Sequence, residues 1–131
     1  PPWRQRVPAW REVRCPTLAM RRCIGTPFNT HHGTTNAVVM QPVLQYNRDF
    51  IEERIERAAA YLGMEGGFDG FYAFVGELND SLGIPANLTE LGVTDPDKEA
   101  SIKGALADPS TGGNPVEMTE GNTGALLDAC F

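Results

Sequence analysis

Two adjacent histidines, His31 and His32, are the side chains with the clearest chemical potential, and Gly33 follows them directly. A neutral imidazole offers a lone pair to borderline metals such as zinc and iron. The apolar residues that follow, from 37 to 44, predict a buried helix able to fix a ring at its start. Because a metal site in a protein needs about three or four ligands, the other donors would have to come from elsewhere in the chain.

Three cysteines, at Cys15, Cys23 and Cys130, are the next candidate donors. A zinc site built from Cys15, Cys23 and the two histidines is one alternative. Seven residues separate Cys15 from Cys23, whereas zinc-binding cysteine pairs are usually separated by about two to four, so this alternative is not favoured. An odd number of cysteines at no framework spacing also argues against a disulfide scaffold, and we expect a reducing, cytoplasmic location.

Length and charge set the broad class. The 131 residues are one domain's worth, and 41% are hydrophobic, which suits a soluble globular protein. No segment has the roughly 18 consecutive apolar residues of a membrane span, so we expect no membrane insertion. Residues 1–30 hold six arginines and one acid, which leaves five basic and sixteen acidic residues in the remainder. The basic arm has no lysine, motif or helical period, so nucleic-acid binding is not expected.

The composition changes near residue 24. Residues 1–23 form an irregular segment rich in arginine and proline, and the prolines exclude a long helix there. Residues 24–131 show apolar side chains at helical spacing and no convincing strand pattern. They predict an all-α bundle of about five helices, near residues 35–46, 49–62, 70–82, 95–107 and 119–130.

Local signals predict where several of these helices begin or bend. Asp49 and Glu52 have the spacing of a capping box at the start of the second helix. Asp69 is the predicted N-cap of the third helix, and Asp95, which a proline follows, is the predicted cap of the fourth. Pro42 lies inside the first helix and predicts a kink.

Two apolar stripes predict which helix faces are buried. The acidic residues of the second helix, Glu52, Glu53 and Glu56, lie largely off its stripe and predict a solvated face. The stripe of the second helix comprises Phe50, Ile51, Ile55, Ala58, Ala59 and Leu62, and that of the third comprises Phe71, Phe74, Val75, Leu78 and Leu82.

The segment from 28 to 40, FNTHHGTTNAVVM, resembles the FNxxHGxxNAxxM segment of the iron-containing (group III) alcohol dehydrogenases. The match continues in order through residues 45–48, the LGIP at 82–85, the LTELGV at 88–93 and the loop at 108–115. Together these segments cover about residues 24–131. One histidine–glycine pair would mean little, but an ordered series over this length is specific.

The resemblance implies the C-terminal helical domain of a two-domain oxidoreductase. In such an enzyme an N-terminal Rossmann-like domain binds NAD or NADP, and the helical domain binds a divalent metal, iron or zinc. The implied reaction is hydride transfer between a small alcohol and its aldehyde, with the metal as a Lewis acid on the substrate oxygen. The resemblance gives His31 no role, and we expect that side chain to be exposed.

Carrying the family's metal ligands over to this sequence gives one residue. His32 occupies the position of the last ligand histidine. Leu18 stands where the family has the preceding ligand, and Arg22 stands where it has a histidine near the nicotinamide. Ser110 and Thr111 lie in a loop that in the family comes near the active-site mouth, so substrate contact is a weaker expectation.

Two functional hypotheses follow. The first is the C-terminal portion of an NAD(P)-dependent alcohol dehydrogenase, inactive alone because it lacks the cofactor domain and most metal ligands, and prone to self-association through exposed apolar surface. The second is a stand-alone helical module for binding or assembly. The composition of residues 1–23 also suggests that they are a frameshifted or truncated remnant.

Overall fold

The computed structural model describes residue 24 and residues 28–131. Within them lie five α-helices, one short 3-10 turn at Thr111–Gly113 and no strand, which confirms the predicted all-α fold. The helices are α1 (His32–Tyr46), α2 (Arg48–Tyr61), α3 (Gly67–Ser81), α4 (Lys98–Ala107) and α5 (Glu120–Asp128).

Helix α1 is the central element of the fold and packs against α2, α3 and α5. It begins at His32, three residues before the predicted start, and contains Pro42 as expected. Val39 is fully buried, but Met40 is 39% exposed, so the prediction of a helix buried on all sides is wrong at that position. The kink at Pro42 stays a prediction.

The predicted caps of α2 and α3 are wrong. Asn47 is the N-cap residue of α2, and Glu52 accepts hydrogen bonds from Arg48 rather than completing a capping box with Asp49. Helix α3 begins after Gly66, which has the left-handed φ of 86° that glycine adopts without strain. Asp69 lies inside the first turn, where its carboxylate accepts from Arg48 at 2.8 Å.

Arg48 joins α2 to α3. Its guanidinium bonds Glu52 on its own helix and Asp69 on α3, and it lies 4.6 Å from the ring centroid of Phe68. The hydrogen bonds that Arg48 donates to the Asp69 and Glu52 carboxylates raise the pKa of Arg48. The N-terminal turns of the two helices are therefore held together by one side chain.

Helices α4 and α5 begin with side-chain caps. Asp97, not Asp95, caps α4 by accepting from the Ala100 N–H at 2.9 Å, so the predicted start is two residues early. Thr119 and Asn122 form a reciprocal capping box at α5. In both α4 and α5, the capping residue is the polar residue with an extended backbone directly before the first turn.

The hydrophobic core lies between α1, α5 and the loop after α3. The last residues of the chain close it, because the Leu88 N–H donates to the Cys130 carbonyl at 2.9 Å and both side chains are buried. The core comprises Ile24, Val38, Val39, Val43, Leu88, Val93, Leu126, Leu127 and Cys130.

Much of the predicted burial of α2 and α3 is wrong. Phe50, Leu62 and Leu82 are each more than 60% exposed, and Phe74 and Leu78 are more than 40% exposed. The two helices pack against each other and against α1, and their buried apolar residues are Ala59, Phe68 and Val75. The predicted exposure of apolar surface is thus present on these two helices.

The solvated acidic face of α2 is largely as predicted. Glu53 and Glu56 are exposed, while Glu52 is half-buried against Arg48. None of the helices in the described part of the chain is long and apolar enough to cross a membrane.

Candidate functional site

His32 is the first residue of α1, and its side chain is exposed. His31, the residue before it, is the N-cap in an extended conformation, and its side chain makes no capping hydrogen bond. The sequence explains the missing capping bond. The first N–H groups of a helix have no intrahelical acceptor, and no Ser, Asp or Asn occupies position 31 to supply one. His32 therefore lies in the first turn of α1, three residues before the predicted start of that helix.

Two threonine hydroxyls form hydrogen bonds at the start of α1, beside His32. Thr35 is fully buried, and its Oγ1 donates to the His31 carbonyl at 3.0 Å. The Thr30 Oγ1 lies 2.7 Å from the Thr35 Oγ1. Because a hydroxyl has one proton, and that of Thr35 points to His31, Thr30 is the donor in the second bond. The sequence analysis did not predict this hydrogen bond, although Thr30, Thr34 and Thr35 all lie in the segment from 28 to 40.

His31 is exposed, as expected, and has only local contacts. Its Nδ1 lies 3.5 Å from the Thr34 Oγ1. A side chain at Gly33 would meet the His31 ring at 3.5 Å, an ordinary van der Waals distance. The ring of His31 therefore lies back over the first turn, beside the helix backbone.

The described residues do not form a metal site. Among them, no group of three or more His, Cys, Asp or Glu side chains could hold a metal ion. Cys15 and Cys23, which the alternative zinc site requires, lie outside the described residues, as do Leu18 and Arg22. One exposed imidazole does not supply a closed coordination shell, so a divalent metal does not fit this part of the chain as a tightly held group.

Cys130 is also excluded as a reactive or metal-binding group. The thiol is buried, and its Sγ lies 3.2 Å from the Leu126 carbonyl oxygen. Burial raises the pKa of Cys130 to about 12. A neutral, inaccessible thiol is a poor nucleophile and a poor ligand, so this cysteine belongs to the core.

The loop from 108 to 115 contains the two weaker candidates, Ser110 and Thr111. Both are half-buried. The Ser110 N–H donates to the Asp108 carboxylate at 2.8 Å, and the Thr111 hydroxyl donates to the Ala105 carbonyl. These bonds shape the turn after α4, so the Thr111 hydroxyl already has a structural partner. Substrate contact by either residue stays a prediction.

An open groove of about 370 Å³ lies between α1, α3 and α5. Sequence reasoning did not find it, because the residues that line it come from three separate helices. It contains no His, Cys, Asp or Glu, and its polar side chains are those of Gln45, Tyr46 and Tyr72. Its lining comprises Pro42, Gln45, Tyr46, Tyr72, Ala125, Leu126 and Ala129.

The fold and the site together define an all-helical domain with His32 as the first residue of its central helix. Residues 17–131 match the C-terminal region of the Fe-containing alcohol dehydrogenase family. The chain belongs to this family. The match begins seven residues before residue 24 and includes the positions of Leu18 and Arg22.

Relatives with known names support the assignment. The chain is 36% identical over 107 residues to a lactaldehyde reductase of Escherichia coli (strain K12), covering 76% of this chain and 28% of that protein. It is 34% identical over 102 residues to a 4-hydroxybutyrate dehydrogenase of Cupriavidus necator, covering 75% of this chain and 26% of that protein. The chain thus spans between a quarter and a third of the length of these relatives.

A solved structure has the same fold. A crystal structure of a 1,3-propanediol oxidoreductase superimposes with a TM-score of 0.80 at 27% sequence identity. The superposition covers 89% of this chain and 32% of that chain. The helical arrangement described above is therefore that of the matching third of an alcohol oxidoreductase.

Proposed function

We propose that this chain is the C-terminal helical portion of an NAD(P)-dependent alcohol dehydrogenase that interconverts a small alcohol and its aldehyde. The observation that carries the proposal is the family match over residues 17–131, with His32 at the start of the central helix. The named relatives are a reductase and a dehydrogenase of small molecules, which supports this substrate class. In the complete enzyme the nicotinamide supplies the redox chemistry, and iron or zinc supplies a Lewis acid.

In this proposal His32 is the one metal ligand that the chain provides. An imidazole on the first residue of a helix that packs into the core has a firm backbone support. Because a single ligand does not retain a metal, the 131 residues alone are expected to be catalytically inactive. No nucleic-acid or membrane partner and a cytoplasmic location complete the proposal.

An activity assay tests the first part. The purified chain is incubated with small diols and hydroxy acids, NAD or NADP, and Fe²⁺ or Zn²⁺, and the formation of NAD(P)H is followed by absorbance. We expect no turnover above the rate of a His32→Ala control. Turnover that His32→Ala abolishes would contradict the proposed inactivity and would show that the chain completes a site.

A gain-of-ligand experiment tests the role of His32. Leu18→His restores a histidine at the position where the family has its preceding ligand. We expect this variant to bind Zn²⁺ more tightly than the natural chain in a calorimetric titration. His32→Ala in the same background should remove the gain, whereas the adjacent His31→Ala should retain it. Equal affinities with and without His32 would contradict its assignment.

The DNA that encodes the chain tests the proposed nature of residues 1–23. If these residues are a frameshifted remnant, another reading frame of that DNA encodes the missing family histidines. If neither of the other frames contains them, the remnant interpretation is wrong.

Self-association is the second part of the proposal. Phe50 on α2 and Phe74 and Leu78 on α3 are exposed, as are Leu62 and Leu82, which directly follow these helices. Clusters of exposed apolar side chains favour contacts between proteins. This surface equally supports the second candidate function, a helical binding or assembly module. We expect concentration-dependent oligomers by light scattering.

A pair of matched variants tests that expectation. Leu82→Glu places a charge within the apolar surface and should reduce the oligomer fraction. Ala73→Glu, at an exposed position of α3, the helix that Leu82 directly follows, is the control and should have little effect. A monodisperse monomer at all concentrations would remove the support for self-association.

A further inference from the structure

The outer face of α2 presents two arginines between two aromatic rings. Phe50, Arg54, Arg57 and Tyr61 follow one another at intervals of four, three and four residues, so they lie in one line along the helix. All four side chains are exposed, Phe50 at 65% and Tyr61 at 91%. We name this line the arginine stripe.

The charge of the arginine stripe is not neutralised within the described part of the chain. Five basic and sixteen acidic residues follow residue 30. Three of the basic residues, Arg48, Lys98 and Lys103, form ion pairs. Arg54 and Arg57 form none with any described residue. The stripe is therefore a positive patch on a largely acidic surface.

The outer face of α3 combines apolar side chains with the opposite charge. Phe74, Glu77, Leu78 and Ser81 lie on one side of the helix, at intervals of three, one and three residues. All four are exposed, Phe74 at 45% and Leu78 at 43%. Glu77 has no ion partner among the described residues. We name this line the glutamate stripe.

The arginine stripe points away from α3. Helix α2 contacts α3 through Arg48, which bonds Asp69, and through Glu56, whose side chain lies beside Gly67. Positions 48, 52, 56 and 59 share that face. The stripe positions 50, 54 and 61 each lie two residues further along, which is a rotation of about 200° around a helix. The arginines therefore lie on the side of α2 opposite to α3.

The glutamate stripe likewise points away from the rest of the described domain. Helix α3 faces inward through the buried Val75 and through Asn79, which donates to the Ala37 carbonyl on α1. Glu77 lies two residues from each of them, and Ser81 lies two residues after Asn79. The two stripes are thus on different sides of the molecule, and one chain does not bring its own stripes together.

We infer that the glutamate stripe of one copy of this chain docks on the arginine stripe of the next copy. The inference rests on the self-association proposed above and adds the surfaces that meet. Glu77 of one copy would lie against Arg54 and Arg57 of the other, with apolar side chains around them to exclude water. The stripes are about 16 Å and about 10 Å long, so the shorter fits along the longer.

The arrangement of the stripes also sets the order of assembly. Arginine stripe on arginine stripe would oppose like charges, so that contact is disfavoured. Because unlike surfaces on different sides of the molecule meet, the contact is head to tail and leaves a stripe open at each end for a further copy. The expected products therefore grow beyond a dimer as the concentration rises.

Charge reversal in the full chain tests the inference by sedimentation velocity. Arg54→Glu/Arg57→Glu and Glu77→Arg each place like charges in the contact, so each alone should raise the dissociation constant by about tenfold or more. An equimolar mixture of the two variants should restore association, because every contact between unlike copies again joins opposite charges. Lys103→Glu and Glu117→Arg reverse exposed charges outside the stripes and should associate like the natural chain.

Circular dichroism checks that the variants keep their helices. If Arg54→Glu/Arg57→Glu does not fold, the single change Arg54→Glu should show smaller effects in the same directions, alone and in the mixture.

The outcomes separate this inference from the proposed self-association. Natural chains that associate as strongly as either reversed variant would retain self-association and overturn the pairing of the stripes. Variants that both dissociate but do not recover on mixing would overturn it too, as would a dimer that does not grow with concentration. A monomeric natural chain would refute self-association itself, leaving the stripes for another part of a longer protein or for a different protein.

Discussion

Two buried threonines make a matched test of what a hydrogen bond contributes to the stability of this domain. Thr35 in α1 and Thr123 in α5 are each the fourth residue of their helix. Each has an N–H that donates to the N-cap carbonyl, at 3.0 and 2.9 Å. Their exposures are 0% and 2%. Their hydroxyls differ, since that of Thr35 has two partners and that of Thr123 has none among the residues that the structure describes.

Replacing each threonine with valine should therefore change stability in opposite directions. A buried hydroxyl without a partner costs about 1–3 kcal/mol, so Thr123→Val should raise the free energy of unfolding by about 1–2 kcal/mol. Thr35→Val removes a hydrogen bond and leaves the Thr30 hydroxyl without its acceptor, so it should lower that energy by about 1–2 kcal/mol. Valine and threonine have similar helix propensities, so propensity does not decide either sign.

Urea unfolding measures both effects. With a slope of about 1–3 kcal/mol per molar urea, the midpoint should rise by roughly 0.5–1 M for Thr123→Val and fall by a similar amount for Thr35→Val. The slopes should be unchanged, because neither variant alters the surface exposed on unfolding. A fall in the midpoint for Thr123→Val would refute the reasoning, since it would mean that this hydroxyl makes a stabilising bond in the folded protein.

Two further predictions concern Cys130 and the glycines. Burial raises the pKa of Cys130 from its usual 9.0 to about 12. The neutral thiol therefore contributes fully to the free energy of unfolding below about pH 9, and this contribution is lost as the pH rises toward 12. Unfolding curves of the natural chain should show this decline, and those of Cys130→Ala should lack it. Gly70→Ala would force a Cβ onto the Glu65 carbonyl and should destabilise the protein by more than 1 kcal/mol, whereas Gly121→Ala, which meets nothing, should stabilise it by about 0.5–1 kcal/mol; thermal unfolding of both variants measures the difference.

The capping residues show how far local sequence signals reach. Aspartates at positions 69, 95 and 97 all have the chemistry of an N-cap, but only Asp97 caps a helix by accepting from its N3 N–H. Asp69 is instead drawn to Arg48, which lies 21 positions earlier in the chain. A capping motif records a local preference, and a stronger charged partner from another helix overrides it.

Burial was less predictable than helix position. The apolar period of α3 correctly located the helix, and Val75 is buried as that period implies. Phe74 and Leu78 belong to the same stripe, but both are more than 40% exposed. The period of a sequence shows that a helix has an apolar face, while the neighbours that cover this face come from other parts of a chain.

The sequence by itself determined the family, the all-α class, the approximate helices and the identity of His32 as the candidate ligand. These features depend on residue type and spacing along the chain, which are visible without a structure. The tertiary structure decided which residues cap the helices, which members of each apolar stripe are buried, and that the Thr30 and Thr35 hydroxyls form hydrogen bonds at the start of α1. Those features depend on distances between residues in folded elements, and side-chain hydrogen bonds and burial have no fixed signature in the order of residues.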